Sequence, residues 1–411
     1  MSQKTLKLSL LAASIALAAG QVNAAAFQLA EQNVTGLGRA YAGEGAIGDN
    51  ASVLGRNPAA MTLFDRPALS GGAIYINPEV DVTDNQTSEQ ANDIADDAVV
   101  PFFYYVHPIN AQWVVGFGAF TNYGLATSYS PEFSAGEIGG KTSLETFNLN
   151  PNIAFKANDH VSLGAGFNAV YADAEFIRYA GQRGSAIPGV DRSTEVANLS
   201  GDDWGYGWNI GLLLEADDNN RWALTYRSEV DLTLEGSYSN QFPGTQSPGK
   251  LDLTLPAIAE ISGFHQVQHD WAVHYGIMWT EWSSFKELKA LSPQGSTLLE
   301  KPENFENSWR ISLGTTHQLN DQWTLRGGLA YDKSPVPAEF RSISIPDVDR
   351  IWYSLGATYA YSQNLSIDGA FAFLDGSKVA VEQEESKFGS NYDMTSGGDA
   401  YLFGLQMNYA F

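Results

Sequence analysis

An all-β fold, a transmembrane antiparallel barrel of the Gram-negative outer membrane with a non-strand segment in front of it, is predicted by three features of the sequence. The chain opens with a secretory leader, its body carries long period-two alternations with large apolar residues on one face, and it ends on a strand closing at Phe411. Each feature governs a different part of the chain.

The leader has Lys4 and Lys7 as a basic region, Leu8 to Ala19 as an apolar stretch, and Val22, Asn23 and Ala24 as a small-residue site. This is the pattern of a cleavable secretory signal. Cleavage after Ala24 makes 1–24 the signal peptide and Ala25 the first mature residue. The apolar stretch is shorter than the roughly 20 residues a spanning helix needs, and no later run is longer. The chain has no cysteine, which excludes a lipoprotein anchor, a disulfide framework and a thiolate metal site. The net charge is −24, and losing Lys4 and Lys7 takes it to −26. Nucleic acid needs a basic footprint and is excluded as a partner. Hydrophobic residues make up 44% of the chain, with 12% aromatic residues and 40 glycines. That is too little apolar content for a helical membrane protein, but it suits a barrel in which every second residue faces lipid and aromatic girdles mark the interfaces.

Residues 25–67 come next. They are rich in Gly and Ala, show little alternation, and precede the first good strand near Leu69 to Ile76. A barrel that begins so late is predicted to hold this segment as a plug in its lumen. The wall then occupies 68–411. Its clearest strand is 204–214, where Trp204, Tyr206, Trp208, Ile210, Leu212 and Leu214 alternate with mainly Gly and Asn. This matches a tilted membrane strand of roughly 9 to 11 residues. Trp113 to Gly118, Trp309 to Gly314 and Trp323 to Asp332 read the same way, with Arg310, Arg326 and Asp332 on the inward face. Polar clusters at 157–159, 217–220 and 320–321 are predicted to be hairpin turns. The final strand alternates Tyr401, Phe403, Leu405, Met407, Tyr409 and Phe411 with small or polar residues.

Several blocks carry a more specific signal. Phe27-Gln-Leu, Gly36 to Ile47 and Arg56-Asn-Pro-Ala59 resemble the N-terminal hatch of the FadL family of outer-membrane long-chain fatty-acid transporters. Asn122 to Thr127, Phe167 to Ala172, Leu224 to Val230, Ser334 to Pro337 and Arg341 to Asp347 resemble the same family in the same order. The resemblance spans nearly all of the mature chain. It implies about 14 strands, a hatch within the lumen, capture of a long hydrophobic ligand from outside, and sideways release where one strand is kinked. That kink is expected at Asn122, Tyr123 and Gly124, since Gly suits a strand that bends or loses pairing. Residues 181–196 and 237–249 are much shorter than the matching loops of familiar FadL proteins, which leaves a loop-built surface groove in doubt.

The resemblance also nominates site residues. Arg178 and Lys301 match the basic residues that meet the ligand head group. Counting from Phe167 places Arg178 on the inward face, whereas Pro302 breaks the count for Lys301. Asp332 matches a residue near the hatch N-terminus, and Phe27 a hatch aromatic packed near the kink. Asn57, Pro58 and Ala59 set a turn within the hatch. The alternative for each is bland: a lumen arginine paired with a wall carboxylate, a strand-end aspartate facing water, a loosely buried aromatic. The six histidines show no spacing that points to a metal, no catalytic pair can be located, and no cofactor is expected. The predicted partners are long-chain fatty acids, surrounding lipid and lipopolysaccharide, and the barrel-assembly machinery, acting on a monomer. A channel for other hydrophobics such as aromatic hydrocarbons, or a receptor barrel without transport, are the competing functions.

Overall fold

The computed structural model describes residues 26–241, 244–385 and 390–411. The expected signal peptide and the α-amino group of Ala25 lie outside this range. Fourteen wall strands form one closed antiparallel sheet. They are β1 (Ala68–Asp84), β2 (Ala98–Pro108), β3 (Trp113–Phe120 and Gly124–Ser128), β4 (Lys141–Asn158), β5 (Val161–Tyr179), β6 (Glu195–Asp217) and β7 (Asn220–Arg227 and Val230–Asn240). The second half comprises β8 (Thr245–Leu255 and Ile258–Gln268), β9 (Trp271–Thr280 and Glu287–Leu291), β10 (Thr297–Pro302 and Ser308–Gln318), β11 (Trp323–Asp332), β12 (Arg350–Ala360), β13 (Leu365–Gly376 and Val379–Glu385) and β14 (Ser390–Ala410). Closure comes from β1 pairing with β14, from Ala68 opposite Ala410 to Asp84 opposite Met394. Closure pairs the wall strands through nearly the whole circuit, as hydrocarbon requires, since an unpaired backbone group there costs several kcal/mol.

The alternation expected at 204–214 holds. Trp204, Tyr206, Trp208 and Ile210 point outward, whereas Asn209, Gly211 and Leu213 are buried. Arg310, Arg326 and Asp332 face inward, as their parity requires. The predicted turn at 217–220 is also present, and the Asp217 carboxylate accepts from the Asn219 amide at 2.8 Å and the Asn220 side chain at 2.9 Å. Such short turns all lie at one end with Pro67 and Phe411, which is the periplasmic end of this architecture. Spin labels provide a check on the strand phase. Labels at Tyr206 and Trp208 are expected to be quenched by lipid-soluble reagents and a label at Gly205 to be protected; the reverse order would refute the assignment.

Residues 26–64 lie inside the barrel, nearly all buried. Three short turns give this segment its shape: helix α1 (Val34–Leu37) and 3-10 helices at Ala51–Gly55 and Pro58–Leu63. Asn33, Asn50 and Asn57 cap them by accepting from the amides of Gly36, Ser52 and Ala59. The segment bonds to strands all around the wall. Val34 N donates to Gln406 on β14 at 2.9 Å, Gly45 N to Ser262 on β8 at 3.2 Å, and Ala51 N to Ser70 on β1 at 3.0 Å. Asn57, Pro58 and Ala59 press on Gly164 of β5 and Gly211 of β6. A Cβ at Gly164 would lie 2.3 Å from Ala59 N, and one at Gly211 1.9 Å from Asn57 Oδ1, so only glycine admits this turn. The turn role expected for Asn57, Pro58 and Ala59 is thus joined by a docking role against the wall.

Candidate functional site

The wall is interrupted at β3. Phe120 pairs with Asn148 and Gly124 with Glu145, so Thr121, Asn122 and Tyr123 stand opposite only Thr146 and Phe147. One residue is in excess, which makes this a β-bulge. Even-numbered residues such as Val114 and Phe120 face inward before it, and odd-numbered ones such as Leu125 and Thr127 after it. β2 pairs with β1 from Ala98 onward but with β3 only from Phe103. The outer halves of β2 and β3 therefore have no ladder between them.

The N-terminal segment occupies the edge this exposes. Leu29 N donates to Asn122 O at 2.7 Å, Gly124 N donates to Phe27 O at 2.8 Å, and Gln28 bridges Tyr123 in antiparallel fashion. Residues 27–29 thus add a short strand to β3 on the side away from β4. Tyr123 is anchored in turn, its hydroxyl donating to Pro256 O on the opposite side of the lumen at 2.5 Å.

From this edge the Phe27 ring enters an apolar pocket. It lies 4.6 Å from the Trp282 ring and 5.2 Å from Phe285, both edge-on, and 6.2 Å from Tyr123. Trp282 and Phe285 reach inward because β9 breaks into a 3-10 turn at Trp282–Ser284. Leu125, Leu144, Phe176, Leu234 and Leu253 complete the walls, and the free space is only about 50 Å³. Ligand pockets usually measure roughly 300 to 1,000 Å³. The pocket is narrower than that, and Phe27 is one of the groups that fill it.

Above the apolar pocket lies a second cavity of about 370 Å³ that both Arg178 and Lys301 line. Phe176 lines both spaces, and the Arg178 guanidinium sits 3.5 Å over its ring. Arg178 donates to Ile177 O at 2.7 Å, Lys141 O at 3.1 Å, Thr142 Oγ1 at 3.2 Å and Ser344 Oγ at 2.7 Å. These acceptors hold the guanidinium in place at the cavity wall. Lys301 Nζ pairs with Glu303 Oε1 at 2.6 Å and donates to Ser342 Oγ at 2.8 Å. Glu303 is fully buried, and burial pushes its carboxyl above the ordinary range against the pull of Lys301.

Asp332 belongs to a cluster at the foot of the N-terminal segment. It stands in register between Arg310 on β10 and Arg350 on β12, and Arg350 pairs with Asp347. The first described amide, that of Ala26, hydrogen-bonds Asp347. The segment's N-terminal backbone contact is therefore with Asp347, next to Asp332 and not on it. Glu31 of the segment faces the same two arginines, and burial lifts its carboxyl to about 7. Three acids, Glu31, Asp332 and Asp347, thus surround the two arginines.

The lumen also holds a group that the sequence reading passed over. Asn148, Asn150, Asn168 and Asn209 hydrogen-bond one another at 2.9–3.1 Å, and Arg227 joins them by bonding Asn168 and, at 2.7 Å, Gly55 O. The repeat Asn148, Asn150, Asn152 at period two on inward parity was the available signal.

The chain matches known proteins in sequence and in fold. The model of the outer membrane protein transport protein family (OMPP1/FadL/TodX) matches residues 15–411. The chain belongs to this family. It is 44% identical to the long-chain fatty acid transport protein of Escherichia coli K12 over all of both chains, and 43% identical to the 47 kDa outer membrane protein of Pasteurella multocida over 98% of each. Among solved structures, a Pseudomonas aeruginosa FadL homologue superposes with a TM-score of 0.85 at 24% identity, covering 94% of this chain and 99% of that one. The Pseudomonas putida toluene transporter TodX gives 0.69 at 18% identity, covering 88% and 94%. The two solved structures bear on fold. Membership makes this chain an outer-membrane β-barrel of a transport family rather than an enzyme family.

Proposed function

We propose that this protein carries long-chain fatty acids across the outer membrane by passive, ligand-gated diffusion with sideways release at β3. The observation that carries this reading is the stacking of the Arg178 and Lys301 cavity on the apolar pocket through Phe176. A desolvated carboxylate needs a cation, and in a chain of net charge −24 that cation must be placed locally. The tail supplies the driving force: about fourteen methylenes at ~0.8 kcal/mol each amount to roughly 11 kcal/mol of gross transfer energy. A ligand held so strongly leaves only if its pocket is deformed. Residues 25–67 act as the hatch that does this. Tail entry displaces the Phe27 ring, and its displacement pulls residues 27–29 from the β3 edge and opens the gap beside β2. A ligand can bias this equilibrium only through contacts that differ between the two states, and Phe27 makes such a contact.

The leader 1–24 is read as the secretory signal. Its removal makes Ala25 the first residue, one ahead of the Ala26 amide that hydrogen-bonds Asp347, and this end of the segment is read as the tether of the hatch. The protein is read as a monomer that meets lipid and lipopolysaccharide at its wall and the assembly machinery during biogenesis. A channel for aromatic hydrocarbons has the same fold but no use for Arg178 and Lys301. Uptake of oleate and of toluene by cells expressing the protein separates the two: oleate uptake with no gain in toluene uptake is expected, and toluene uptake alone would overturn the fatty-acid reading.

A further inference from the structure

At the periplasmic end, on the other side of the N-terminal segment from Arg178 and Lys301, lies a cavity of about 290 Å³. Arg39, Arg221 and Arg326 line it, together with apolar Ile47 and Phe264, and Gln266, Asp270, Gln318 and Thr324 form its rim near the short turns. Two of the arginines are committed. Arg39 pairs with Glu44 at 2.6 Å and Asp49 at 2.7 Å, and Arg326 reaches the same Asp49 at 3.3 Å and Asp368 at 3.9 Å. Arg221 is not. Its guanidinium stacks 4.3 Å over the Phe264 ring and makes no hydrogen bond or ion pair with the described residues, and its Nε is buried without a partner. Glu215, Asp49 and Asp218 act on it only at longer range.

We infer that this cavity is a second carboxylate site, which takes the head group of an amphiphilic acid on the periplasmic side of the hatch, with Arg221 as its principal donor. A guanidinium presents a planar fork that a carboxylate can meet bidentately, and this one is oriented by the aromatic ring beneath it. Ile47 and Phe264 give the first carbons of an alkyl chain an apolar wall beside that fork. Glu44, Asp49 and Asp368 balance Arg39 and Arg326, so Arg221 is the arginine of this lining without a paired carboxylate among the described residues. The inference rests on the fatty-acid reading. It extends that reading by placing head-group sites on both faces of the hatch, so that an acid in the periplasm can bias the hatch from below.

The test uses the full-length barrel in detergent and decanoate labelled with 13C at its carboxyl carbon. Two bound carboxylate signals are expected. Arg178→Ala with Lys301→Ala removes one of them, and Arg221→Gln weakens the other about tenfold or more. Thr324→Glu, which adds a carboxylate at the rim without touching the buried ion pairs, weakens the second signal as well and stands in if Arg221→Gln does not fold. A second signal indifferent to both changes, or a single signal lost with Arg178 and Lys301, overturns the second site and leaves the first intact. Displacement of the second signal by inorganic phosphate as readily as by unlabelled decanoate identifies a small-anion site and overturns the amphiphile assignment. No bound signal at all would remove the fatty-acid reading and this site together.

Discussion

Deletion of Asn122 is expected to reduce oleate uptake to background while leaving ligand binding measurable. The bulge in β3 holds one residue more than β4 opposes, so a single deletion restores the count. It also restores the phase, because inward positions are even before the bulge and odd after it. The outer half of β3 could then pair with Ala98 to Phe102 of β2, which have no β3 partner in the native wall. Backbone groups inside a membrane must be paired within the protein, so the repaired ladder is the more stable arrangement and the gap closes for good. Residues 27–29 lose their place on the edge, but apart from Leu125 the strand walls of the pocket and Arg178 belong to other strands and persist. Uptake measured against surface level decides the matter. Normal uptake by the deletion would show that ligand does not leave beside β3, and an axial route past the hatch would have to replace it.

The double change Arg178→Ala and Lys301→Ala is expected to weaken oleate binding about ten- to a hundredfold. A hydrogen bond to a charged group is worth roughly 1.5 to 3 kcal/mol, and both cations line the cavity that the head group would enter. Lys301 meets the ligand already paired with Glu303. Lys301→Ala alone should have a smaller effect than the double change. The methyl ester of oleate should bind wild type and variant alike. Equal affinity of wild type and double variant for the free acid would remove the head-group role and favour a hydrocarbon channel.

The parts of this arrangement that were legible in the sequence are those written at period two. Trp204 to Leu214 and the closing strand to Phe411 mark their faces because lipid demands large apolar residues at every second position. Arg178 could be placed by counting from Phe167 for the same reason. The β3 bulge could be located but not counted, since residues 121–127 are all buried and no lipid-facing side chain marks the change of phase. The partners of Asp332 depend on strand register, which brings Arg310 and Arg350 to either side of it. The contact from Ala26 to Asp347 joins the two ends of the fold and has no local signature. Lys301 could not be assigned a face because Pro302 breaks its strand. Its pairing with Glu303 is a local contact across that break.

The central claim is that residues 27–29 must leave the β3 edge for ligand to pass. The chain contains no cysteine, so one engineered disulfide can test this without interference. Gln28 and Tyr123 are a non-hydrogen-bonded antiparallel pair, flanked by the bonds from Leu29 N to Asn122 O and from Gly124 N to Phe27 O. Such pairs have Cα atoms roughly 4.5 Å apart, inside the range of about 4.4 to 6.8 Å that a disulfide spans. In the variant Gln28→Cys with Tyr123→Cys, oxidised cells should take up no oleate and reduced cells should recover uptake at the same surface level. Oleate uptake by the fully oxidised form at the rate of the reduced form would show that the segment need not move, and the gate would lie elsewhere.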